Sequence, residues 1–165
     1  MNAIPRGDRG ESVFHFLYRN DRGRIDRATW WRGMIPLVLI GGLMTSLWLL
    51  VRPYTHHDLA TSPFLAAPTI LAFLYLAVFS FAVILIAVCS YNLGAKRFHD
   101  RGRHGSLAAI LPLAAFCAGA LIWFIPRSFG EVPDWASPLS LLLVAAIAAW
   151  NVWDLGFGRS IGERP

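Results

Sequence analysis

Four long stretches of this chain contain no Asp, Glu, Lys, Arg or His, and polar, Arg-rich segments separate them. Gly33 to Val51 gives 19 such residues, Leu59 to Ala95 gives 37, Ser106 to Pro126 gives 21 and Trp135 to Trp153 gives 19. Crossing a hydrocarbon core of roughly 30 Å takes a helix of about 20 apolar residues. Each stretch therefore predicts one spanning helix, at about 33–51, 69–93, 107–126 and 136–153. The second stretch is long, yet two helices and a turn would need about 40 residues or more, and no turn cluster breaks its middle. Pro63 and Pro68 lie near its start, so the helix is placed from Thr69 to Leu93, tilted or extended past the membrane. The predicted fold is all-α: a polytopic integral membrane protein with a four-helix transmembrane bundle over 33–153, a preceding segment 1–32 and a tail 154–165.

Composition agrees. Of the 165 residues, 56% are hydrophobic and 15% charged, against about 25% charged in an average soluble domain. This excludes a disordered chain, a collagen-like fibre and a disulfide scaffold. The net charge of +5 comes from 14 Arg and one Lys, Lys96, against 10 acids. In a chain with four apolar runs, such a surplus marks flanks facing anionic lipid, not nucleic acid. Residues 1–32 carry seven Arg against four acids, and residues 96–103 carry Lys96, Arg97, Arg101 and Arg103 against Asp100. The segments around 52–58 and 127–134 carry no positive excess. The positive-inside rule then puts the N-terminus and the 96–103 segment in the cytoplasm, and an even number of spans returns the C-terminus to the same side. The expected location is a bacterial inner (plasma) membrane.

The first 32 residues are too charged for a signal peptide. Within them, Val13-Phe14-His15-Phe16-Leu17-Tyr18 predicts a short interfacial helix. Asp26 is the expected N-cap of span one, with Arg27-Ala28-Thr29 as its first turn. Trp30 and Trp31 are expected at headgroup depth, and Trp48, Trp123, Trp135, Trp150 and Trp153 also lie near span ends. Cys89 and Cys117 sit inside apolar runs and read as small hydrophobes rather than as a disulfide or metal pair.

Candidate chemistry concentrates in two basic clusters, Arg19 to Arg27 and Lys96 to Gly105, each mixing Arg with Asp and Gly. Gly23 and Gly102 suit tight turns. If spans one and two are neighbours, Asp26 pairs with Arg97 or Arg101, and Asp100 with Arg24 or Arg27, clasping the helix ends. Surplus guanidinium groups at Arg24, Arg27, Arg97 and Arg101, with His99, form a candidate site for a lipid headgroup or phosphate. Asn92 lies close enough in sequence to join this cluster. His99 beside Asp100 suggests a general base, but adjacent helical residues point about 100° apart, and His56-His57-Asp58 falls on the opposite side of the membrane. There is no Walker loop, dinucleotide fingerprint or zincin helix. No catalytic set, metal site or cofactor is expected. Ion and proton pathways usually need ionisable groups at mid-membrane, and the four apolar runs have none.

The residues resemble the bacterial DUF805 family. Gly23-Arg24-Ile25-Asp26-Arg27 followed by Trp30-Trp31 is similar to its G-R-x-x-R…F/Y-W opening. Lys96-Arg97-Phe98-His99-Asp100-Arg101-Gly102-Arg103 is similar to its R-R-L-H-D-x-x-R/K-S signature, with Pro112 just beyond. Gly158 to Pro165 is similar to its N-R-F/Y-G-x-x-P ending. Two departures stand out: His104-Gly105-Ser106-Leu107 replaces the family's Ser-Gly-Trp-Trp, and Arg159 stands at its tail Asn. The resemblance implies an inner-membrane protein of about four helices and no established activity. The leading expectation is a non-enzymatic protein whose cytoplasmic rim of Arg24, Asp26, Arg27, Arg97, His99, Asp100 and Arg101 clasps the spans and holds an anionic headgroup or partner. The alternatives are a small transporter or channel subunit, and a membrane enzyme acting on a phosphorylated lipid with His99 as base. Expected partners are the bilayer, an anionic phospholipid, and a second copy or a membrane partner protein.

Overall fold

A computed structural model describes residues 12–55 and 66–159. The His56-His57-Asp58 cluster and the tail from Ser160 lie outside these residues. Among the described residues there are helices and turns but no strand. Helix α1 is Val13–Tyr18, α2 is Arg27–Val51 and α3 is Ala67–Asp100. Helix α4 begins with a 3-10 turn at Gly105–Ala109, runs as α-helix over Ile110–Gly119, widens to π winding over Ala120–Phe124 and ends in a last turn at Ile125–Ser128. Helix α5 is Ala136–Asn151, continued by a π-wound end at Val152–Phe157. Four of these helices are long and apolar enough to cross a membrane.

The start and stop signals operate as local chemistry requires. The Ser12 hydroxyl accepts from the His15 amide at 3.2 Å and starts α1. The Asp26 carboxylate accepts from the Thr29 amide at 3.0 Å and starts α2, as the sequence predicts. Pro68 sits in the first turn of α3, where its missing amide hydrogen costs nothing. The α3 C-terminus is a Schellman motif: the Arg103 amide donates to Phe98 O at 2.9 Å and the Gly102 amide to His99 O at 3.0 Å. Gly102 has the positive φ, 72°, that this motif needs.

Helix α3 differs from its expected bounds. The predicted span stops at Leu93, whereas the helix continues to Asp100 and carries Lys96 and Arg97 inside it. Its 34 residues reach about 51 Å, well beyond a hydrocarbon core of roughly 30 Å. Helix α5 likewise outruns its predicted end at Trp153 by four residues, so residues 154–157 belong to the helix and not to a tail. Both extensions occur at the same end of the molecule, hereafter the basic end.

The buried core also lies there. Ile25, Trp30, Leu93, Ala95, Phe98, Ala108 and Leu155 form one cluster, with Phe16, Leu17, Tyr18 and Trp31 packed against it. Close backbone approach makes this possible: a methyl at Gly94 would lie 2.9 Å from Ala108 Cβ, and one at Gly33 would lie 2.8 Å from Leu93. Trp30 therefore differs from its expected interfacial role. It is 1% exposed, because the start of α2 is enclosed by α1, α3 and the end of α5.

Away from the basic end, the helices present apolar side chains outward. None of the apolar window of α2 is buried within the protein, and only 22% of that of α5. Leu43, Phe81 and Phe116 are typical of this outward surface. In water such a surface would be an aggregation hazard, whereas in lipid it is the expected exterior. Helices α2 and α3 form one antiparallel pair, tied far from the basic end by Tyr75 Oη donating to Met44 O at 2.6 Å and by stacking of Trp48 on Phe79. Helices α4 and α5 form the second pair. Cys89 and Cys117 are free thiols, and Cys117 is exposed rather than buried.

Candidate functional site

The basic end is built around one face-spanning run of α3, Asn92 to Phe98, in which every residue is buried. Lys96 and Arg97 are both 0% exposed. A buried charge is costly unless its donors are matched, and here neighbouring helix ends match them. The last carbonyls of a helix have no partner within it. Those of α1 are taken by α3: Lys96 Nζ donates to Leu17 O at 2.9 Å and to Phe16 O, and Asn92 Nδ2 donates to Tyr18 O at 2.6 Å. Asn92 and Lys96 are four residues apart, the spacing that places both on one helix face. The ammonium also lies 4.9 Å from the centre of the Phe16 ring. Tyr18 Oη closes the joint by donating to Gly33 O of α2 at 3.1 Å. Burial raises the Tyr18 pKa, which keeps its phenol protonated as a donor.

The C-terminus of α5 is held in the same manner. Arg97 Nε donates to Leu155 O at 2.9 Å and Nη2 to Gly158 O at 2.6 Å, while Nη1 pairs with the Asp100 carboxylate one turn later on its own helix. Arg101 Nη1 bonds both the main-chain oxygen and the carboxylate of Asp154. Arg103 Nη1 meets the other carboxylate oxygen of Asp154 at 2.9 Å. From α2, Trp31 Nε1 donates to Gly156 O at 3.2 Å. Side chains from two helices and one turn thus hold the last turn of α5. Glycines make room for them: a methyl at Gly156 would lie 2.7 Å from Trp31, and one at Gly158 would overlap the Arg101 guanidinium.

A family model described as a protein of unknown function, DUF805, matches residues 18–153. The chain belongs to the DUF805 family. Neither a curated protein nor a solved structure matches it. The matched region covers α2 to α5 up to Trp153, together with the Arg97–Asp100 pair of the basic end.

In this DUF805 protein the seven residues expected at one rim do not act together. Arg97, Asp100 and Arg101 come together with the end of α5, as just described. Arg24 and Arg27 do not join them: both are exposed. The expected cross-helix pairs are replaced. Asp26 caps its own helix, and its pKa is lowered chiefly by hydrogen bonding from Thr29, with the Arg97 charge a lesser cause. Asp100 pairs with Arg97 rather than with Arg24 or Arg27. The physical reason is local supply: Asp100 lies one helical turn from Arg97, and the end of α5 brings the carboxylate and main-chain oxygen of Asp154 to Arg101. His99 is half-buried, its Nε2 beside Gly105, where a methyl would approach to 2.7 Å. The neighbouring carboxylate that would orient it as a base is bonded to Arg97. Among the described residues, no three His, Cys, Asp or Glu side chains gather as metal ligands would.

Sequence reasoning missed Asp154, and it placed Lys96 in a basic cluster and Gly158 in a tail motif without the parts they play here. Asp154 is the only acid between the fourth apolar run and Glu163, a position that could have marked it as a partner for Arg. Lys96 follows Asn92 by one helical turn, which gave a second usable signal. Gly158 left no signal, because its part is to be small beside Arg101.

Proposed function

We propose that this is a multi-pass protein of the bacterial inner membrane with both termini in the cytoplasm, in which the basic rim on that side clasps the four spans into one unit. The carrying observation is that two fully buried cations, Lys96 and Arg97, donate to the carbonyl ends of α1 and α5. Arg101 and Arg103 share Asp154, so the second basic cluster is committed to internal bonds. The charge asymmetry of the flanks supports the cytoplasmic assignment. The charge-free spans favour this scaffold over a coupled ion path.

Reporter fusions test the orientation. Fusions after residue 104 and after the last residue should report cytoplasm, and a fusion between residues 56 and 64 should report periplasm; the reverse pattern rejects the reading. Arg97→Ala tests the clasp itself. It should lower the amount of folded protein in membranes while leaving insertion of all four spans intact. Wild-type levels and unfolding behaviour in that variant would show that the clasp is dispensable.

A further inference from the structure

Five arginines at the basic end have no partner among the described residues. Arg19, Arg22 and Arg24 lie on the linker after α1, and Arg27 and Arg32 in the first turns of α2; all five are exposed. Among the described residues, none of their guanidinium groups makes a hydrogen bond or ion pair with the protein. The acids of that stretch are Asp21 and Asp26, and Asp26 is occupied as the α2 cap.

Helix α1 ties this stretch to the start of the first span. Tyr18 Oη reaches Gly33 O, and Gly33 is the first residue of the charge-free run. The outward α1 residues Val13 and Phe14 are 53% and 64% exposed. An exposed aromatic on α1, followed along the chain by five exposed guanidinium groups with no partner among the described residues, is complementary to a molecule that is anionic at one end and apolar over the rest.

We propose that the exposed arginines of this stretch, Arg19, Arg22, Arg24, Arg27 and Arg32, together with Phe14, bind the headgroups of anionic phospholipids in the adjoining leaflet. Guanidinium binds phosphate through two parallel hydrogen bonds, and Phe14 contributes apolar contact with the acyl chains. The anion site thus lies on the first basic cluster, with the second unavailable to it. This rests on the reading above that the basic end faces the anionic leaflet. Lipid preference measured in detergent does not depend on orientation in the cell, so the two can fail separately.

The test is native mass spectrometry of the full chain in detergent, with phosphatidylglycerol or phosphatidylcholine supplied. Wild type should retain phosphatidylglycerol with at least about tenfold preference at low salt, and the preference should weaken as salt rises. Arg24→Gln should cost roughly fivefold, and replacing all five arginines by Gln should abolish the preference. Arg103→Gln, which removes the same charge from the second cluster, should leave it unchanged. Should the variant with all five arginines replaced fail to fold, Arg22→Gln with Arg24→Gln, both outside any helix, gives the same reading. Equal retention of the two lipids by wild type overturns the proposal, as does a preference that survives the Gln variants. An Arg103→Gln loss as large as that of Arg24→Gln would mean that net charge alone is at work, and would also overturn it. Displacement of the lipid by millimolar inorganic phosphate would identify a soluble phosphate compound as the ligand instead.

Discussion

The two basic clusters use the same residues and meet opposite fates. Arg24 and Arg27 are exposed, whereas Lys96 and Arg97 are fully buried. The difference lies in the element that carries each cluster. The first occupies a linker turned by Gly23, whose φ is 105°, and only Ile25 within it is drawn into the core. The second occupies the overhanging end of a long helix, around which α1, the start of α2, the first turn of α4 and the end of α5 all pack. Two of those neighbours arrive with helix carbonyls that lack donors. Near a membrane an unmatched carbonyl is expensive, and a buried cation is expensive too. Each removes the other's penalty, so a cluster that looks like a solvated loop becomes the centre of the structure.

Removing Arg97 should separate the two regions most sharply. Arg97→Ala strands the Asp100 carboxylate and frees the oxygens of Leu155 and Gly158 together. Losing one partner of a buried charged set costs about 3–5 kcal/mol. Denaturant unfolding in detergent should show it, and Arg97→Lys should recover only part, because an ammonium lacks the fork that reaches both Nε and Nη acceptors. Asp154→Asn should come next, at about 2 kcal/mol. Asp154 is shared by Arg101 and Arg103, but the Arg103 side chain is 46% exposed, so its share is screened. If Asp154→Asn proved as costly as Arg97→Ala, the centre of the clasp would have to be moved onto α5.

These two residues also show what the sequence could reveal. The spans were legible because hydrocarbon tolerates no charge, so charge-free length reports them directly. The Asp26 cap and the turns at Gly23 and Gly102 were legible because each answers a local backbone requirement. The partners of Arg97 were not, since its acceptors are chiefly main-chain oxygens that any sequence supplies. Trp30 was misplaced because an indole suits an interface and a core equally, and only the packing of α1 and α5 over α2 decides between them. Asp154 was hidden by the assumption that the helix ends where the apolar run does.

Two smaller effects probe the borders of the buried region. Lys96→Met keeps the apolar stem but leaves the α1 carbonyls without their donor, at about 1–2 kcal/mol. The loss should be local, seen as faster hydrogen exchange in residues 13–18 with little change in α5. Asp26→Ala removes a helix cap worth about 1 kcal/mol, and its signature is in pH. The folded carboxyl has its pKa lowered below the ordinary 3.8, first by hydrogen bonding from Thr29. Its contribution is therefore complete above that ordinary value and is lost as pH falls through the folded one. Wild type should lose more stability than Asp26→Ala between pH 5 and pH 3, with melting curves as the measure. Parallel losses in the two proteins would mean that the cap carries no such linkage.

The smallest stability effect is the most informative about the exposed cluster. Arg24→Gln and Arg27→Gln remove side chains that touch no acceptor among the described residues, so unfolding should change by no more than about 0.5 kcal/mol. Arg27 lies at the N-terminus of α2, where a positive charge opposes the helix dipole, so its removal should if anything stabilise slightly. A side chain whose loss costs folding nothing, yet that stands exposed in a stretch with four like charges, has its reason outside the fold. A measured loss above 1 kcal/mol in either variant would reverse this. It would place the first cluster in the clasp with the second, and the contrast between a buried cluster and an exposed one would dissolve.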